Sequence, residues 1–182
     1  MSAPQKSELR ARMRAERKRL AGLDPDAPLR LADHAGALPP GGMVAVYAPI
    51  GSEMNTAVLA QALITQGRLL CLPVVIQRDA AMIFRRWSPG EPLEMDVAGV
   101  PAPLPLSDTV TPDLILTPLL AFDATGARLG QGGGYYDRTF AALPDIVRIG
   151  VAYTGQEVGH LEIEAHDIRL HGVLTETGYR SF

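Results

Sequence analysis

Apolar and polar positions change period several times along the chain, and the changes divide it into elements. Over residues 5–22, Leu9, Met13 and Leu20 recur at spacings that share one helical face among Glu, Lys and Arg, which predicts a docked amphipathic helix. A second helix is expected between Asp24 and His34, after the start signal Asp24-Pro25, and Pro39-Pro40-Gly41-Gly42 ends all helical structure. Met43 to Tyr47 reads as a strand and Gly51-Ser52-Glu53 as a turn. Asn55 or Thr56 then caps a helix whose Leu59, Ala62 and Leu63 face inward, with Gly67 as its stop.

Leu69 to Val75 is a buried apolar strand, with Met82 to Trp87 as its hairpin partner across the charged turn at Arg78 and Asp79. Between Ser88 and Pro112, prolines at 89, 92, 101, 103, 105 and 112 and the lack of a sustained period predict an extended surface crossing. Leu114 to Thr117 is a strand, followed by Pro118 to Asp123, a glycine-rich loop, a helix over Tyr135 to Leu143 and a strand over Val147 to Tyr153. That succession is an α/β crossover. A last strand is expected near Val173 to Thr175, and no internal repeat is present.

Composition adds bounds. A chain of 182 residues fits one domain over 1–182, and a 47% hydrophobic, 20% charged composition is that of a globular protein. The net charge of −3 gives no global pull on polyanions, so any phosphate binding has to come from a local arrangement of groups. Cys71, the only cysteine, lies in Leu69-Leu70-Cys71-Leu72; it forms no internal disulfide or cysteine metal cluster and reads as a buried small hydrophobe. The segment Met1 to Leu20 is basic and polar, and no stretch has the roughly 18 apolar residues that span a bilayer, so a soluble, cytoplasmic protein is expected.

Local chemistry concentrates in two places. Five glycines fall between Gly126 and Gly134, a density that lets backbone N–H groups approach an anion without a Cβ in the way, and the helix that follows adds its own N-terminal amides. The loop lacks the Lys-Ser/Thr ending of a P-loop, and Tyr135 occupies the last glycine of a G-x-G-x-x-G pattern, so neither common nucleotide fingerprint is met. A flexible linker is the alternative, but a linker lacks the flanking strand and helix and the embedded Arg128, Tyr135, Tyr136, Asp137 and Arg138. Asp137 is suited to a hard cation such as magnesium, or to stabilising the first helical turn.

The second place is the N-terminal helix, with seven basic residues (Lys6, Arg10, Arg12, Arg14, Arg17, Lys18 and Arg19) against Glu8 and Glu16. Lys6, Arg10 and Arg14 lie along one side at i, i+4 and i+8 and suit phosphate contact; a solvated face, nucleic-acid binding or membrane-surface binding are the other readings. Glu53 sits between a strand and a helix, where α/β folds place ligand contacts or stabilise a helix start. His166-Asp167 follows an acidic stretch and is a weaker candidate for the outer shell of a metal. Hydrolytic triads and zinc chemistry find no motif.

In order along the chain, Lys6 to Arg10, Gly51 to Thr56, LTPLLAFDATGARLGQGGGYYDR from Leu116 to Arg138, and His166-Asp167 with Thr175-Glu176 resemble the 5-formyltetrahydrofolate cyclo-ligase family. The resemblance implies a single three-layer α/β domain of the NagB/RpiA/CoA-transferase-like kind with a basic N-terminal helix. It implies ATP- and magnesium-dependent cyclisation of 5-formyltetrahydrofolate to 5,10-methenyltetrahydrofolate, with phosphorylation of the formyl oxygen and release of ADP and phosphate. It puts ATP on Lys6, Arg10, Arg128, Gly130, Gln131, Gly132, Gly133, Gly134, Tyr135 and Tyr136, and the reacting phosphate near Arg128, Gly132 and Tyr136. The folate falls to Glu53, Met54 and Tyr136, and Mg2+ to Asp137 and Asp167. The partners implied are the two substrates, without nucleic acid or membrane, in a monomer. An ATP-dependent enzyme acting on another formyl or acyl compound, or a non-catalytic folate- or nucleic-acid-binding module, are the alternatives.

Overall fold

The computed structural model describes residues 3–162, 164 and 167–182. Its helices are α1 (Ala3–Leu23), α2 (Ala27–Asp33), α3 (Ala57–Thr65) and α4 (Tyr135–Ala142). Its strands are β1 (Met43–Ala45), β2 (Leu69–Val74), β3 (Ile83–Arg86), β4 (Leu93–Met95), β5 (Pro101–Pro103), β6 (Thr109–Val110), β7 (Leu114–Pro118), β8 (Ala121–Phe122), β9 (Arg128–Leu129), β10 (Val147–Val151), β11 (Gly172–Thr175) and β12 (Gly178–Ser181).

Eight strands form one sheet in the order β12-β11-β10-β7-β1-β2-β3-β6, parallel from β11 through β2 and antiparallel at both ends. The two-residue period of a strand sorts the side chains onto opposite faces. Val44, Leu70, Leu72, Leu114, Leu116 and Ile149 pack with Leu31, Leu59 and Leu63 of α2 and α3. Their sequence neighbours Ala45, Cys71 and Ile115 pack with Phe140 of α4 on the other side. Helices therefore cover both faces, and the buried strands read as nearly continuous apolar runs for that reason.

The order of the strands fixes where a ligand can enter. From β1 the chain crosses through α3 to β2 on one side, whereas from β7 it crosses through α4 to β10 on the other. The crossovers diverge between β1 and β7, which opens a crevice beyond the carboxyl ends of those strands. Glu53 lies after β1 and the glycine-rich segment after β7, so both expected regions meet there.

Several sequence expectations are refined. Helix α2 begins at Ala27 and not at Asp24-Pro25; Pro28 occupies its first turn, where no intrahelical N–H bond is lost. In α3, Leu59, Ala60 and Leu63 are the buried residues, and Ala62 is only partly covered. Between Ser88 and Pro112 the expected extended crossing contains three short strands: β4 pairs with β5, and β6 extends the main sheet beside β3. Pro101 and Pro103 occupy alternate positions of β5, as a strand with a free edge tolerates. A final strand, β12, follows the expected β11 and pairs with it antiparallel.

The N-terminal helix docks as its apolar spacing predicts. Leu9 and Met13 pack on Leu120, Ala121, Ala127, Leu129 and Leu161, and Leu20 packs over Gly155, where an added Cβ would come within 2.8 Å of the leucine. Cys71 is fully buried and its thiol is pushed up to about 12, first by burial and then by Asp113, so it behaves as an inert apolar group. Among the described residues no helix is long and apolar enough to cross a membrane.

Candidate active site

The glycine-rich segment divides into two structures. Asp123 to Ala127 is the turn of a hairpin in which β8 pairs with β9, and Gly126 takes φ +78° there. A Cβ on Gly126 would lie 2.7 Å from the carbonyl oxygen of Leu170, so this glycine serves packing. Asp123 fixes the turn: its buried carboxylate accepts from the N–H and hydroxyl of Thr125, from Ala127 N–H and from Leu161 N–H. The anion-binding candidate is thereby shortened to Gly130–Gly134. Gly132 and Gly134 have φ of +104° and +67°, and α4 starts immediately after with no side-chain cap on Gly134, which leaves its first N–H groups available to an anion.

Arginines converge on this loop from two helices. From α1, Arg10 Nε donates to the carbonyl of Gly130 at 3.1 Å and Arg14 Nε to Oε1 of Gln131 at 2.9 Å. From α4, Arg138 Nη2 donates to the carbonyl of Gly133 at 2.8 Å. Arg128, whose side chain is almost wholly buried, lies over the Phe140 ring at 4.8 Å and donates through Nη2 to Oδ1 of Asp137 at 2.6 Å and through Nη1 to the carbonyl of Ile168. Lys6 continues the α1 stripe: its ammonium lies 2.6 Å from Glu164 and 3.4 Å from Asp167. Burial opposes its charge, but these two carboxylates outweigh that and raise its pKa.

Glu53 approaches from the other side of the crevice. The turn that carries it is braced by two buried hydrogen bonds, Tyr47 Oη to the carbonyl of Met54 and Thr56 Oγ1 to the carbonyl of Tyr47, both 2.8 Å. Glu53 Oε2 accepts from Ile50 N–H at 2.9 Å, and Oε1 lies 3.5 Å from Nη1 of Arg17, a residue whose importance the sequence reading missed. Burial raises the Glu53 pKa, opposed by Ile50 N–H, Arg17 and a hydrogen-bonding interaction with the Gln131 side chain. Tyr136 is pushed well above the usual phenol range by burial and then by Glu53, so it remains a neutral hydroxyl.

A cavity of about 1000 Å3 takes in Lys6, Arg10, Glu53, Arg128, the loop from Gly130 to Gly134, Tyr135, Tyr136, Asp137, Arg138 and Asp167. Its size is at the upper end of the range for small-molecule sites. Met54 is excluded from the wall: its side chain is 1% exposed and packs in the main core, so its contribution is the carbonyl that braces the turn. His166 lies outside the described residues.

Asp137 and Asp167, the pair expected to hold a hard cation, both line the cavity and both have partners: Arg128 on Asp137, and Lys6 and Glu164 N–H on Asp167. Ile168 N–H, next to Asp167, donates to Oδ1 of Asp137, which links the two segments, while Oδ2 of Asp137 has no partner among the described residues. No group of three or more His, Cys, Asp or Glu comes together among the described residues. That donor set is too small for a closed protein cage and fits magnesium, which is held by one or two carboxylates and completes its shell with water and substrate phosphates.

Residues 2–176 match the model of the 5-formyltetrahydrofolate cyclo-ligase family. The chain belongs to that family. A 5-formyltetrahydrofolate cyclo-ligase of Haemophilus influenzae is 34% identical over 141 residues, 72% of this chain and 74% of the relative. One of Mycolicibacterium smegmatis is 36% identical over 146 residues, 74% of each. Among solved structures, a 5,10-methenyltetrahydrofolate synthetase of Aquifex aeolicus superposes with a TM-score of 0.80 at 30% identity, over 97% of this chain and 92% of the other. The cyclo-ligase family thus accounts for the mixed α/β fold and its central sheet, and the cavity described above is the candidate active site of this member.

Proposed function

We propose that this cyclo-ligase family member converts 5-formyltetrahydrofolate to 5,10-methenyltetrahydrofolate at the expense of ATP, with magnesium as its cofactor. The observation that carries the reading is the convergence of Arg10, Arg14 and Arg138 on a glycine loop at a helix N-terminus, with Arg128 and Glu53 lining the same cavity. The loop amides and the arginines would hold the triphosphate, Glu53 and Tyr136 would face the folate, and the two ligands would meet at the floor of the crevice. The layering of helices on both faces of the sheet supports grouping the fold with the NagB/RpiA/CoA-transferase-like architectures.

The chemistry that suits this site is phosphoryl transfer to the formyl oxygen. That oxygen attacks the γ-phosphorus, ADP leaves, and the former carbonyl becomes an N5 iminophosphate. N10 then attacks the activated carbon, the C–O bond breaks, phosphate departs with the former formyl oxygen, and the N10 proton is lost to solvent or a nearby base. No protein nucleophile is required; the work is alignment and charge stabilisation by amides and guanidinium groups. Asp137 and Asp167 would hold magnesium, which neutralises phosphate charge when bound. Arg128, paired with Asp137 in the cavity wall, would present its guanidinium to the transferring phosphate.

The basic helix favours this reading over a nucleic-acid surface, because five of its seven cations are engaged with the chain itself: Lys6, Arg10, Arg14 and Arg17 as above, and Arg19 with Glu16. The reading is tested with substrate carrying 18O in the formyl group. Label appearing in inorganic phosphate is expected; label released into water would rule out phosphorylation of the formyl oxygen.

A further inference from the structure

The function above gives work to most of the polar groups around the crevice but none to Arg17. This residue is 5% exposed, one of the few charged side chains buried to that degree, and it does not line the cavity. Its guanidinium donates through Nε to Ser52 Oγ at 3.2 Å and through Nη1 to the carbonyl of Leu119 at 3.3 Å. The same Nη1 lies 3.5 Å from Oε1 of Glu53, whose side chain is 7% exposed and does reach the cavity.

Burying such a pair is costly unless the geometry is fixed and the remaining hydrogen bonds are satisfied, and replacement by apolar side chains is often no worse for stability. Here the geometry is fixed from both ends. Leu119 O, which also accepts from Gln156 Nε2 at 2.9 Å, anchors the guanidinium, and Ile50 N–H holds the second carboxylate oxygen. On α1, Arg17 follows Lys6, Arg10 and Arg14 along the stripe that faces the crevice, one step beyond the last contact with the glycine loop. A single rigid helix therefore sets the phosphate loop and the carboxylate of the opposite wall relative to each other.

We infer that Arg17 is a positioning residue for Glu53, fixing its carboxylate toward the folate as an acceptor for a ring N–H while touching no substrate itself. The inference rests on the folate reading of the cavity. It predicts a specific electrostatic dependence. Burial pushes the Glu53 pKa up, and the groups that face it are Arg17 from α1, Ile50 N–H from its own turn, Gln131 from the glycine loop, Tyr136 from α4 and Tyr47 after β1. Arg17 is the cation among these, so without it the carboxylate stays protonated to higher pH and the acceptor is lost over that range.

The test is 5-formyltetrahydrofolate binding measured by calorimetry across pH, which needs no turnover, alongside steady-state kinetics with both substrates. Arg17→Met is expected to weaken folate binding by about tenfold or more at neutral pH, to move the acidic limb of binding upward by about one pH unit or more, and to change the KM for ATP by less than about threefold. Arg17→Lys, which keeps the charge and guards against a folding failure of the methionine variant, is expected to restore the limb most of the way. In Glu53→Gln, adding Arg17→Met is expected to cost little further. Folate and ATP parameters that decline together with an unmoved limb, or an Arg17→Lys variant no better than Arg17→Met, would reduce Arg17 to a packing pin and overturn the inference. Wild-type protein that binds the folate but does not turn it over would defeat the proposed reaction alone; wild-type protein that binds no folate would defeat both.

Discussion

Nη2 of Arg128 lies 2.6 Å from Oδ1 of Asp137, so the cation nearest the proposed magnesium carboxylate is one of the protein's own side chains. The pair joins the end of the β8–β9 hairpin to the first turn of α4 and stands between the glycine loop and the segment containing Asp167. Under the proposed function the pair would exchange partners, Asp137 turning to the metal and Arg128 to the phosphate.

That exchange predicts that Asp137→Ala lowers kcat by about 10²-fold or more and leaves the fold intact, because Asp137 itself is partly exposed. Steady-state rates over a magnesium titration check it. Unchanged activity at every magnesium concentration would remove Asp137 from the site.

Arg10→Ala should act mainly on the nucleotide. It deletes a guanidinium that donates to Gly130 O and stands 3.4 Å from where a Cβ on Gly132 would be. The expected result is a KM for ATP raised about tenfold, the scale of one lost charge-assisted contact, with the folate KM moved by less than about threefold. Equal losses for both substrates would contradict a phosphate role.

Gly134→Ala tests the geometry of the loop. With φ at +67° an alanine is strained by about 1 kcal/mol, and its Cβ would meet Nη1 of Arg138 at 2.7 Å. Arg138 can yield, so the folded protein should survive with a KM for ATP raised about threefold to tenfold by loss of amide alignment. Circular dichroism separates this from unfolding.

Asp123 supplies a pH prediction. Burial raises its pKa, but hydrogen bonds from Thr125, Leu161 and Ala127 outweigh that, and the net direction is down. A depressed folded value means that the carboxylate's stabilisation is complete at neutral pH and is lost as pH falls below about 4, the unfolded value. Asp123→Asn should cost about 2 kcal/mol at pH 7 and flatten the acid limb of stability, measured by urea unfolding between about pH 3 and 7. An unchanged acid limb would mean the turn is held otherwise.

Much of this architecture was legible because buried strands and docked helices write their periods into the chain. Leu9, Met13 and Leu20 marked the docked face of α1, and Leu114 to Val151 gave the crossover through α4. The glycine loop was visible from density alone, yet density could not separate Gly126, which sits in the hairpin turn against the Leu170 carbonyl, from Gly132 and Gly134, which shape the loop before α4. Strands β4 to β6 were hidden by prolines that only a free edge admits. Met54 reads as a cavity residue from its place beside Glu53, yet its side chain points to the core while its carbonyl serves the turn, which the sequence does not distinguish. Arg17 was lost in a basic run, although its place on the Lys6, Arg10, Arg14 stripe was the available signal; only the fold reveals that Glu53 waits at the end of it.

The central claim is tested most directly by mixing purified protein with 5-formyltetrahydrofolate and magnesium-ATP and following methenyl product and ADP in the same reaction. The account predicts that both appear in a ratio of one to one and that omitting ATP or magnesium abolishes both. Tight binding of the two substrates without methenyl product, or ADP release that proceeds without the folate at the same rate, would contradict it.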